Sequence, residues 1–136
     1  YVECGAIHHD MVGLMIRAVG HGLVRTAHLM EEVCLARYGR RRLVPPGDLL
    51  TFRHLLGAPR DRAMESLLAA RAVVYNRLME KDESFESVSP FPHMDAEAVV
   101  LQIVDGLGTE QCRDLFGRIR HMGVRESLDL ALGKRN

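Results

Sequence analysis

The chain has 136 residues, 18 basic against 18 acidic side chains, and 47% hydrophobic residues with no tryptophan. Balanced charge argues against a dedicated nucleic-acid binder, which carries a strong basic excess. No apolar run approaches the ~20 residues of a membrane span, and three cysteines (Cys4, Cys34, Cys112) without paired spacing do not form a disulfide framework. What remains is one modest globular domain, or one with a small helical appendage, of an intracellular, reduced protein, with a core of Leu, Val, Ala, Met and Ile. The chain opens at Tyr1 without a methionine, which reads as a fragment or an ordered core.

In chain order, Val12, Ile16, Val19, Leu23, Thr26, Met30 and Val33 recur at alternating steps of four and three, the spacing of one helix face. The pattern predicts one long helix from Asp10 to Arg37, about 28 residues, weakened at Gly20 and Gly22, which could mark a close helix crossing, a kink or a break into two helices. Gly39 then supplies a left-handed helix end. Pro45 and Pro46 forbid continuation, and Pro46 with Asp48 opens a short helix to Leu56. Gly57 and Pro59 stop it. A third helix is predicted from Pro59 to Glu80, with Ala63, Leu67, Ala70, Val74 and Leu78 as its apolar stripe.

Residues 81–92 (KDESFESVSPFP) are acidic, serine-bearing and closed by proline, and read as an exposed linker. Beyond them Asp95 is the expected N-cap of a helix over Ala96 to Leu107. Gly108 ends that helix and Thr109 caps the next, where Cys112, Leu115, Phe116, Ile119 and Met122 share one face. Gly123 breaks it before a last helix over Arg125 to Leu132. No alternating strand pattern occurs, so the fold class is all-α. Three parts are expected: a helical domain over residues 1–80, the acidic linker 81–92, and a C-terminal helical segment 93–136.

The sharpest chemical candidate is the His9–Asp10 pair. AIHHDMVG, residues 6–13, resembles the core motif of the HD-domain phosphohydrolases. That resemblance implies a metal-dependent phosphohydrolase with His9 and Asp10 as ligands. Those enzymes also use an upstream histidine and a downstream aspartate, and Asp48 and Asp61 stand in no matching motif. Read from the residues alone, the pair is a polar helix face or cap, because a metal site needs several converging ligands. His21, His28 and Glu32 share a face of the expected long helix and could hold zinc, or could simply be a solvated face. Cys34 and Cys112 read as packed thiols. No nucleophile sits in an elbow or triad context. No cofactor, metal or catalytic residue is expected.

The arginine run Arg40, Arg41 and Arg42 could contact nucleic-acid phosphate. Such a run beside a helix end more often neutralises its negative pole and stays solvated. A long helix, an extended link and a proline-opened short helix, carried by GRRRLVPPGDLLTFRHLL (residues 39–56), resemble the second loop and third helix of the histone fold. The segment is most similar to the histone-fold subunits of the coactivators SAGA and TFIID. The resemblance covers Asp10 to about Leu78. It implies a nuclear transcription-related complex, a helical histone-fold-like partner, Leu43 and Val44 in a short ladder, and Leu49, Leu50 and Phe52 in the third-helix core.

The resulting expectation is a non-enzymatic interaction subunit that pairs through its long apolar helix. Its interface would be Val12, Ile16, Val19, Leu23 and Met30 with Leu43 and Val44. A phosphohydrolase fragment built on His9 and Asp10 is the alternative.

Overall fold

The computed structural model describes residues 9–25, 27–79 and 89–134, and these are all-helical with no strand. The stretch expected as one long helix is broken. Helix α1 spans His9–Val19 and ends at Gly20, whose φ of 92° and ψ of 149° lie in a region open essentially to glycine alone. A single 3-10 turn follows over His21–Leu23, and Val24 is extended at φ −113° and ψ 120°. Helix α2 begins only at Glu31 and runs to Tyr38. The apolar spacing is helical throughout, but the backbone at Gly20 decides the outcome, because spacing records which residues avoid water and not whether the chain between them is continuous.

The corner that follows matches the sequence closely. Gly39 takes φ 67° and donates its N–H to Leu35 O at 3.1 Å, closing α2. Pro45 is extended at φ −56° and ψ 146°, and its carbonyl accepts from Leu49 N at 3.0 Å. Helix α3 runs Pro46–Leu55 with Asp48 in its first turn, and Gly57 at φ 67° turns the chain away.

Helix α4, Arg62–Leu78, is shorter at both ends than the sequence suggests. Asp61 caps it by accepting from Met64 N at 3.0 Å, so the preceding residues serve as approach and cap. Helices α5 (Pro92–Asp105), α6 (Thr109–Ile119) and α7 (Val124–Ala131) complete the described chain. Asp95 does not cap α5. That helix starts at Pro92 with Phe91 before it, which frees the Asp95 carboxylate for another use. Gly108 rather than Thr109 precedes α6, and its N–H donates to Gln111 Oε1 at 2.7 Å.

Helix α4 is the axis, packing against α3, α5, α6 and α7. Its Val74 and Leu78 are buried with Val100, Leu101 and Val104 of α5 and with Cys112 and Ile119 of α6. Cys34 of α2 and Leu43 of the link join the same cluster. One core therefore runs through both expected parts, and residues 80–88 between them lie outside the described residues. Each large aliphatic removed from water contributes about 1.5–3 kcal/mol. Ser127, a buried polar side chain, is satisfied: its hydroxyl donates to Gly123 O at 2.7 Å.

Two arginines of α4 hold the ends of neighbouring helices. Arg71 donates to Leu107 O at 2.9 Å and Asp105 O at 2.7 Å, at the C-terminus of α5. Arg77 donates to Ile119 O at 3.2 Å and also to Met122 O, at the C-terminus of α6. Unpaired carbonyls and the negative pole of a helix both favour a cation there.

Candidate protein-interaction site

The end of the molecule built from α1, the turn after it and α3 leaves large apolar side chains in water. Leu23 is 80% exposed, Leu29 74% and Val19 52%. Leu14 and Met15 of α1, and Leu49 and Leu55 of α3 with Leu56 after it, are also exposed. α1 is tied to the end of α3, because Arg17 Nη1 donates to Leu55 O at 2.8 Å. Gly13 also faces Leu56 so closely that a Cβ there would collide with the leucine side chain. The apolar side chains of the two helices thus belong to one end of the protein. Soluble monomers rarely leave such a patch uncovered.

The residues expected at an interface divide into two groups. Val19 and Leu23 are exposed, and Val12 and Ile16 are half-buried. Leu43, by contrast, is 8% exposed and Met30 packs against the core cluster. Val44 is half-buried in a link that forms no ladder among the described residues. Leu43 and Met30 are therefore used by the chain's own fold. The corner that would have met a partner is met by α2, α4 and α5 of the same chain.

The arginine run is similarly committed. Arg40 Nη1 meets Asp105 Oδ2 at 2.6 Å, and Arg41 Nε meets Glu31 Oε1 at 2.7 Å, while Arg42 is exposed. Two of the three guanidiniums expected as phosphate contacts fasten the link to α5 and to the start of α2. No signal in the sequence pairs Arg40 with a carboxylate 65 residues away.

Asp95 is the centre of a polar cluster that the sequence did not indicate. Arg37 donates to both its oxygens, at 2.7 and 2.9 Å, and Tyr38 OH donates at 2.7 Å. Ser89 Oγ bonds to the same carboxylate. These partners, with Arg37 first, hold the Asp95 carboxyl well below the usual range. Burial, with Asp95 adding to it, pushes the Tyr38 hydroxyl up to about 12. Arg37, Tyr38, Arg40, Asp95, Ala98, Val99 and Gln102 line an open groove of about 590 Å³. Its charged walls already neutralise each other, which leaves little unspent charge for a ligand.

Glu97, one turn into α5, accepts from Tyr75 OH at 2.9 Å. Burial raises its pKa, Asp48 adds to the rise, and the Tyr75 hydrogen bond and His93 oppose it. A carboxyl whose folded pKa is raised favours the folded state at acid pH, and that contribution is lost as pH rises through the folded value. Glu97→Gln keeps an acceptor for Tyr75 but removes the charge. We expect it to raise the neutral-pH melting temperature by a few degrees, with the gap closing in acid. Melts of both proteins from acid to neutral pH check this, and a gap that widens in acid would contradict the assignment.

Metal and nucleophile candidates gain no support from the arrangement. His9 and Asp10 fall in the first turn of α1, but their side chains lie outside the described ones. The break after α1 removes the helix face that His21, His28 and Glu32 were expected to share. No group of three or more potential ligands occurs among the described residues. Cys34 and Cys112 are buried, and burial raises both thiol pKa values, which makes them poor nucleophiles. No described helix is long and apolar enough to cross a membrane.

Among known proteins, a chain from Archaeoglobus fulgidus described as an uncharacterized protein is 34% identical over 90 residues, covering 65% of this chain and 32% of the relative. The chain thus spans about a third of the length of that relative. No family model and no solved structure matches it.

Proposed function

We propose that the chain is a non-enzymatic helical interaction module that pairs with a second protein chain through the end formed by α1, the turn after it and α3. The observation that carries this reading is Leu23, a large aliphatic side chain 80% exposed among other exposed leucines and valines. Burial by a partner would contribute about 1.5–3 kcal/mol for each such side chain. The pairing site differs from the seam expected from spacing. It keeps Val12, Ile16, Val19 and Leu23 and loses Met30 and Leu43 to the core, while Val44 is half-buried in the link.

The corner at residues 39–56 supports a second reading, a histone-fold-type subunit of a nuclear transcription complex. The long central helix of that architecture is absent among the described residues, so the corner alone carries it. The coactivator setting and the nuclear location come only with that resemblance.

The test is Leu23→Asp. Because Leu23 makes little contact with its own chain, the variant is expected to fold with an unchanged melt. It should fail to pair, since an unpartnered charge would be forced into the interface. Sizing and melts of both proteins, alone and with the candidate partner, check this. Loss of folding in the variant, or pairing that is unaffected, would remove the reading.

A further inference from the structure

Past Asp10 and Asp48, in the first turns of α1 and α3, the charge of the apolar end is one-sided. Residues 11–30 and 49–60 contain Arg17, Arg25, Arg53 and Arg60, three histidines (His21, His28 and His54) and no aspartate or glutamate, in a chain whose total charge is zero. None of these four arginines takes part in an ion pair among the described residues. Arg17 and Arg53 are held instead by neutral carbonyls, Leu55 O at 2.8 Å and Pro59 O at 3.1 Å. Arg53 Nε has no hydrogen-bond partner among the described residues. Arg25 and Arg60 are exposed. The carboxylate in the first turn of α3 and the one after its end are engaged elsewhere: Asp48 lies close enough to Glu97 and Tyr75 to shift both, and Asp61 caps α4.

We infer that the partner surface of this module is an acidic amphipathic helix, whose apolar face covers Leu23 and its neighbours and whose carboxylates meet Arg25, Arg60 and the guanidinium of Arg53. This rests on the interaction reading above and deepens it. Helix-in-groove recognition combines an apolar stripe with charges that fix orientation, and complementary charge sets specificity and association rate. A second copy of this chain fits poorly, because a twofold interface would set arginines against arginines. An anionic membrane surface fits less well than a helix. Interfacial membrane elements present tryptophan or tyrosine beside their basic residues, and residues 11–30 and 49–60 contain neither.

The experiment uses the whole chain and two synthetic amphipathic helices with the same leucine face, one bearing glutamate on its polar face and one bearing lysine. Affinities are read by fluorescence anisotropy at low and high salt. The glutamate peptide should bind about tenfold tighter than the lysine peptide, with the difference shrinking at high salt. The double variant Arg25→Glu, Arg60→Glu should reverse the preference. Both residues are exposed and neither takes part in an ion pair among the described residues, so the melt should not move. Equal affinity for both peptides would overturn the acidic partner while leaving an apolar interaction surface standing. So would a homodimer that Leu23→Asp splits, or tighter binding to phosphatidylglycerol vesicles than to the glutamate peptide. Binding of neither peptide, together with a Leu23→Asp variant that pairs normally, would overturn both readings.

Discussion

Leu78→Ala is expected to destabilise the fold by about 2–5 kcal/mol, the largest effect of any single change considered. Leu78 is 1% exposed and lies in the last turn of α4, in the same cluster as Val100, Leu101, Val104 and Ile119. Truncation removes transfer free energy and leaves a void that helices from several directions cannot all relax into. Against a typical total of about 5–15 kcal/mol, the loss is large enough to leave a marginal or unfolded protein. Chemical denaturation of both proteins measures it. A loss below about 1 kcal/mol would show that α4 is not packed at its C-terminal end as described.

Arg77→Ala is expected to cost about 1.5–3 kcal/mol, the range for losing hydrogen bonds made by a charged group. The guanidinium bridges Ile119 O and Met122 O where α6 ends, and alanine would leave the Met122 carbonyl without that donor. Lysine should recover only part, because one ammonium lacks the planar fork that reaches both carbonyls. Urea midpoints for the alanine and lysine variants separate these cases. Full recovery by lysine would mean that charge at the helix end matters and the bridging geometry does not.

Much of the fold was legible because its punctuation is local. Gly39, Pro46, Asp48 and Gly57 act on the residues beside them, and the helix ends they imply lie within a residue or two of the observed ones. The same holds for the α6 face of Cys112, Leu115, Phe116, Ile119 and Met122, all buried or packed on the core. The α4 stripe was only partly legible. Leu68 and Tyr75 are buried beside Val74 and Leu78, whereas Ala63 is exposed, because a helix touched by four others buries more than one stripe.

What could not be read were partners distant in sequence. Asp95 looks like an N-cap when only its neighbours are considered, yet Arg37 lies 58 residues earlier and claims both its oxygens. Leu43 and Leu23 are equivalent in a list of apolar residues, and only the fold shows one buried and the other in water. The break at Gly20 was signalled by two nearby glycines, but periodicity on both sides masked it. In the candidate site, the spacing located Val19 and Leu23 correctly and misassigned Met30 and Leu43 for the same reason.

The arrangement of α3, α5, α6 and α7 around α4 has a kinetic consequence. α3 immediately precedes α4, and α5, α6 and α7 follow it in order, so docking proceeds between elements that are close along the chain. The connections from α3 to α4, α5 to α6 and α6 to α7 are short and cost little closure entropy, and the cost of the longer one from α4 to α5 grows only slowly with its length. Once α4 has formed, each later helix emerging from synthesis meets a surface already in place. α1 precedes α4 in the chain, so its exposed apolar side chains emerge before the core closes and remain in water after it has.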